Sequence, residues 1–235
     1  MAYGTLLGGV RHNGFIPWDD DIDVWMKRDD YNKLLSMTES VSDDQWELLS
    51  FEKSKGYLFP WAKMCNKKTI LLPSRFNTGL KYGISIDIFP LDYFPGAGYE
   101  TAREQALSEY KKFNADYNAS HPYTGGVNDP VRLAKKKAEF MLSKIRGIAP
   151  ERLLNSYSTD NQKEGSEYLV CMQTPVFGCF RSEWFEQDVL VEFEKGKYPS
   201  PEMFDEVLTS IYGDWRTPPP EDKRVTHHSF TAYWK

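Results

Sequence analysis

The segment Trp18-Asp19-Asp20-Asp21-Ile22-Asp23-Val24 places four carboxylates within five positions. In a strand, residues two apart share a face. Asp19, Asp21 and Asp23 would then project together, while Ile22 and Val24 turn to a core. Asp20 has the opposite parity and reads as a cap or turn residue. Gly83-Ile84-Ser85-Ile86-Asp87-Ile88-Phe89 repeats the device, with the isoleucines on the buried face and Asp87 on the other with Ser85. Crowded carboxylates repel, and one must take a proton unless a cation lies among them. Aligned carboxylates are hard oxygen ligands suited to magnesium, which takes one or two of them together with substrate phosphates. Two such ions about 3.5–4 Å apart can clamp an in-line phosphoryl displacement. The bland alternative is a solvated acidic turn capping a helix at Asp29. The strict alternation with Ile22 and Val24 argues against it, because a turn has no need of period two. Asp92 follows Pro90 and is expected to leave the strand and to serve structure.

Upstream lies Tyr3-Gly4-Thr5-Leu6-Leu7-Gly8-Gly9-Val10-Arg11-His12. A Gly-Thr pair opening a helix offers backbone N–H groups and the positive dipole end to a phosphate. The Thr5 hydroxyl adds a donor, and the Arg11 guanidinium can hold a phosphate through two N–H groups. Gly8 and Gly9 inside a helix cost roughly 1 kcal/mol each against alanine, so something must approach closely there. The competing reading is tight helix–sheet packing with Arg11 on the surface.

These groups need a scaffold. A short helix over Thr5 to His12 ends before Asn13-Gly14 and Pro17. Asp21 to Met26 is a strand and Asp29 to Met37 a helix. Trp46 to Phe51, Tyr57 to Met64, Ile70 to Leu72 and Gly83 to Phe89 are further strands. From about Thr101 to Tyr157 the period is helical, with helices at Glu100 to Asn114 and Val131 to Arg146 and a loop of composition HPYTGGVNDP between them. Strands near Tyr168 to Met172 and Val189 to Phe193 follow, then a helix over Pro201 to Tyr212 and an irregular tail. The expected class is α/β (α+β): a core over 1–98, a helical insertion over 99–165, and a part over 166–235 that packs back on the core.

Composition narrows the function. The chain has 235 residues, 29 basic against 34 acidic, and a net charge of −5, which lacks the basic footprint of a nucleic-acid binder. Lys135-Lys136-Lys137 sits in a helical pattern and reads as a solvated face. No apolar run is long enough to span a membrane, and no secretory signal is visible, so a cytoplasmic protein is expected, peripheral at a membrane face at most. The spacing of Cys65, Cys171 and Cys179 fits no zinc site, and they are expected to be buried thiols.

The phosphate-binding start and the acidic strand together resemble the nucleotidyltransferase signature, here Tyr3-Gly4-Thr5 followed by Asp21-Ile22-Asp23-Val24, with Asp87 as third carboxylate. The longer string YGTLLGGVRHNGFIPWDDDIDV is similar to the LicD family, which includes the fukutin-related proteins. Looser matches are IDIFPLD, Phe193-Glu194, Tyr212 to Trp215, and Arg224 to His228. The resemblance implies a nucleotidyltransferase-like mixed β-sheet with flanking helices. It implies a magnesium-dependent transferase (manganese could serve) that moves a phospho-alcohol such as phosphocholine from a CDP-alcohol donor to a sugar hydroxyl of a glycan, lipopolysaccharide or teichoic acid, releasing CMP. A true nucleotidyltransferase releasing pyrophosphate, and an inactive binding relative, are the alternatives. On this resemblance Asp21, Asp23 and Asp87 hold the metal, Asp87 also takes the acceptor proton, and Asp19 supports them. Gly4, Thr5 and Arg11 meet donor phosphate, and Lys63, His227 and His228 are lesser phosphate contacts. The family carries a helix and a strand ahead of its Gly-Thr motif, whereas here only Met1, Ala2 and Tyr3 precede Gly4. An open sheet edge beside the Asp21 strand, and self-association through it, are therefore expected.

Overall fold

The computed structural model describes residues 1–73, 80–120, 130–159, 166–226 and 230–235. Its elements run α1 (Tyr3–His12), β1 (Ile22–Lys27), α2 (Arg28–Ser36), the short α3 (Thr38–Val41), β2 (Trp46–Leu49), β3 (Ala62–Asn66), β4 (Thr69–Pro73) and β5 (Ser85–Phe94). Then come α4 (Tyr99–Ser120), α5 (Pro130–Ile145), α6 (Pro150–Thr159), β6 (Tyr168–Cys171), β7 (Gly178–Arg181), β8 (Asp188–Phe193), β9 (Gly196–Pro201), α7 (Phe204–Tyr212) and β10 (Phe230–Trp234). This is an α+β fold around a mixed six-stranded sheet of order β2-β3-β5-β6-β7, with β1 paired to β5. The β1–β5 pair is parallel, and the other pairs of this sheet are antiparallel.

Strand parity sorts the core into two faces. On one, Phe89 and Leu91 of β5 and Leu169 and Cys171 of β6 pack with Tyr3 and Leu6 of α1 and Val207 and Leu208 of α7. On the other, Ile88 and Ala62 pack with Tyr31 and Leu35 of α2, and Phe94, Val170 and Met172 pack with Ala102 and Ala106 of α4. The sheet thus lies between α1 with α7 and α2 with α4. All three cysteines are free and buried, as expected.

Several elements depart from the sequence reading. β3 begins at Ala62, not near Tyr57, because the aromatic run before it closes on itself through rings such as Tyr57, Phe59 and Trp61. β5 continues through Pro90 to Phe94, so Asp92 stays in the strand. Pro90 falls where β5 has left its β3 pairing, which ends at Ile88, and has not yet met β6, whose pairing begins at Asp92, so no antiparallel ladder there calls for the N–H it lacks. The tail is not wholly irregular, since β10 pairs antiparallel with β4. Pro201 ends β9 and does not open the last helix, which starts at Phe204.

β1 has a partner only on the β5 side within the described sheet. Its outward backbone at Asp23 is met by α1: Ala2 N donates to the Asp23 carbonyl at 2.9 Å, and Asp23 N donates to Thr5 Oγ1 at 2.9 Å. The β8–β9 hairpin stands across from the rest of this edge, leaving a groove of about 870 Å³ lined by Ile22, Val24, Trp25 and Met26.

Candidate active site

The centre of the site is a row across three strands. Lys63 of β3 is in register with Asp87 of β5, and Asp87 is in register with Asp23 of β1. Neighbouring strands lie about 4.8 Å apart, and in-register residues point to the same face, so the three side chains form one line on the α1–α7 side. Asp87 is tightly held. Lys63 Nζ donates to its Oδ1, Trp61 Nε1 donates to its Oδ2 at 2.8 Å, and Ser85 Oγ reaches Oδ1 at 3.4 Å. Lys63 is itself 7% exposed, with the Phe59, Trp61 and Tyr82 rings 4.8–5.7 Å from its ammonium. It is therefore a counter-ion for Asp87.

Asp23 has no such neutraliser at its own position. Burial, then Asp21 and Asp87, push its carboxyl up to about 9, against a smaller opposing pull from Lys63. Burial and Asp21 push Asp19 up to about 6. Carboxyls pushed up in this way are what crowding produces when no cation lies among them. Asp19, Asp20 and Asp21 precede β1 in extended chain without strand pairing, and one oxygen from each comes within 4.8 Å of the others. The parity argument for Asp19 with Asp21 and against Asp20 therefore does not apply, because strand geometry begins only at Ile22. Asp20 joins the acidic cluster, though it is exposed.

The helix start serves this cluster. A Cβ at Gly4 would sit 2.3 Å from Asp19 Oδ2. Gly4 thus lets the Asp19 carboxylate rest against the N-terminal turn of α1, where the helix dipole favours negative charge. Thr5 is 4% exposed and its oxygen accepts from Asp23 N, so it braces α1 to β1 directly beside the pair. Gly8 and Gly9 are packing glycines: added Cβ atoms would meet the Gly14 carbonyl at 2.4 Å, and Met1 Cε and Val191 Cγ1 at 3.0 and 3.2 Å.

A basic rim lies beside the acidic floor. Arg11 Nη1 donates to the Trp215 carbonyl at 2.7 Å, and its Nε to His12 Nε2 at 3.0 Å. Burial lowers the Arg11 pKa, and neighbouring Arg224 lowers it further. The Arg224 guanidinium lies 5.4 Å from the Trp18 ring centroid. Tyr212 ends α7 here. Burial raises its hydroxyl pKa, with Asp23, Asp19 and Asp21 adding to the rise and Arg11 opposing it. His227 and His228 lie outside the described residues.

Sequence reasoning did not assign Trp61 or Tyr212 to the site. Trp61 precedes Lys63 by two and so shares its parity, which was the available signal. Tyr212 opens the Tyr212-to-Trp215 match, but only the return of α7 onto α1 brings it near the aspartates.

The donor set fits a hard divalent cation. It consists of oxygens alone, it is crowded enough to hold protons, and Asp21, Asp23 and Asp87 could supply the ligands. Acid floor and basic rim on a mixed sheet are the parts that metal-assisted phosphoryl transfer uses. Residues 1–125 match the model of the family described as LicD/FKTN/FKRP, nucleotidyltransferase domain. The chain belongs to that family. It is 26% identical over 241 residues to the lipopolysaccharide cholinephosphotransferase LicD of Haemophilus influenzae, covering 99% of this chain and 87% of the relative. No solved structure matches the chain. No described helix is long and apolar enough to cross a membrane.

Proposed function

We propose that the protein transfers a phospho-alcohol group, phosphocholine first among the candidates, from a CDP-alcohol to a sugar hydroxyl of a cell-surface glycan. The observation that carries this is the in-register Asp23–Asp87 pair, joined by Asp21 and faced by Arg11 and Arg224, in a chain whose relative is a cholinephosphotransferase. The acceptor oxygen forms a bond to the phosphorus that carries the alcohol, the bond from that phosphorus to the CMP oxygen breaks, and the hydroxyl proton passes to a base. Magnesium, or manganese, held by Asp21, Asp23 and Asp87 would neutralise charge on the phosphates.

This chain's own residues do the rest. Arg11 and Arg224 draw the diphosphate to the rim, since a guanidinium matches phosphate oxygens in pairs. The start of α1 adds a favourable dipole, with Gly4 and Thr5 at its first turn. Lys63 and Trp61 orient Asp87 through its two oxygens, each of which keeps a second lone pair.

The test is a donor screen with CDP-choline, CDP-ribitol and CDP-glycerol, with and without magnesium, scored for CMP and pyrophosphate. Metal-dependent CMP release with one donor supports the proposal. Pyrophosphate release instead would make the protein a nucleotidyltransferase, and no product with any donor or metal would leave it a binding relative.

A further inference from the structure

Helix α5 lies apart from the site and packs against α4. Ser143 is buried, and Leu133 and Phe140 are half-buried. The opposite side is apolar and open to solvent. Val131, Met141, Leu142 and Ile145 are 76, 58, 49 and 78% exposed, and Ala134 and Ala138 are exposed between them. Spacings of three and four place these residues on one stripe. At 100° per residue, Lys135 and Arg146 border the stripe on one side and Lys137 and Lys144 on the other. Residues 130–146 hold six basic side chains and one acidic, a net of +5. The whole chain carries −5, so the remaining residues carry −10.

We propose that α5 is an interfacial helix that lies in the plane of an anionic lipid bilayer. A solvated basic face, which the sequence suggested, would not need a continuous exposed apolar stripe opposite its packed side. The combination of an apolar stripe with lysines along both borders suits a lipid surface, where the apolar side chains enter the acyl boundary and the ammonium groups reach the headgroups. Charge selects this occupant over a second copy of the chain. Pairing two α5 stripes would bring two +5 segments together, whereas an anionic membrane attracts them. The proposal stands on α5 alone and does not depend on the transferase reading.

The test is flotation of the full chain with vesicles of phosphatidylcholine alone or with 30% phosphatidylglycerol, a composition chosen for its charge. Binding to the anionic vesicles only, weakening as salt rises, is expected. Met141→Ser with Ile145→Ser should abolish it. Lys137→Gln with Lys144→Gln should weaken it about 25-fold, about fivefold for each lysine. The stripe variant should keep the wild-type melting temperature, because its residues are exposed, and the lysine variant should lose only the exposed Lys144–Phe140 contact, worth about 0.5–1 kcal/mol or a few degrees at most. Absence of flotation on anionic vesicles overturns the proposal. So does flotation that survives loss of the stripe, which would mean surface adsorption only. Concentration-dependent dimerisation undone by Ile145→Ser, without vesicle binding, would assign the stripe to a protein interface instead.

Discussion

Strand β5 carries two acid–base pairs five residues apart, and they differ in what surrounds them. At one end Arg28 Nε and Nη2 donate to Asp92 Oδ1 and Oδ2 at 2.6 and 3.0 Å, with both side chains 1% exposed. At the other, Lys63 holds Asp87, with side chains 9 and 13% exposed. Asp92 lies on the α2 side of the sheet, where one charge meets one charge in a fork that leaves nothing over. Asp87 lies on the α1 side, in register with a second aspartate and near the acidic turn before β1. The same chemistry therefore fastens a helix at one end and sits among further carboxylates at the other. Carboxyls pushed up by burial and by one another mark a candidate ligand site.

The largest effect that separates the two ends is expected from Asp23→Asn. Removing a ligating charge while keeping size should lower turnover by roughly three orders of magnitude, since metal stabilisation of a transferring phosphate is worth several kcal/mol. The empty protein should melt no lower than wild type, because repulsion is relieved. Near-normal turnover would remove Asp23 from the machinery.

Next in size is Arg28→Met. Breaking a buried pair costs about 3–5 kcal/mol, which for a chain of this size lowers the melting temperature by about 10 °C. Magnesium should not restore it. A variant that melts normally would show that the Asp92 end is not the structural one.

Lys63→Met should have a smaller and metal-dependent effect. It leaves Asp87 without its counter-ion, so the metal-free protein should melt lower than wild type, and the rise on adding magnesium should exceed the wild-type rise. An unchanged rise would mean that Lys63 does not share Asp87 with a cation. No rise in wild type would count instead against the metal.

The pH dependence of the metal-free protein gives a further contrast. Folded Asp23 keeps its proton up to about 9, while an unfolded aspartate loses it near 4. The folded state therefore binds more protons between these values, and stability falls as pH rises through that window. Melting with a chelator at pH 5 and pH 8 measures it. Asp23→Asn should flatten the slope and Arg28→Met should leave it.

Much of this contrast was legible without coordinates where its cause is local. Period two in Ile22-Asp23-Val24 and Ile86-Asp87-Ile88 announces a strand, and β1 and β5 form there, but the expected alternation in burial does not appear: β1 is half-buried throughout, and Ile84, expected on the buried face, is exposed and precedes β5. The turn at Asn13-Gly14 and the helix before it also follow from nearest neighbours, with Asn13 in the left-handed region capping Gly8 and Gly9. Local reasoning failed at Asp20, because parity was extended two residues beyond the point where pairing with β5 begins. It failed at Asp92 because a proline was taken to end a strand.

The sequence by itself determined which side chains could share a face, since that depends on backbone geometry between adjacent residues. Only the tertiary structure decided which faces meet. Lys63 and Asp87 are 24 residues apart, and Thr5 and Asp23 are 18 apart. Arg11 and Trp215 are separated by 204. Strand register and the return of α7 onto α1 bring these pairs together, and both are set by the burial of whole faces rather than by any residue in the pair. That is why the sequence alone could not show that Lys63 pairs with Asp87.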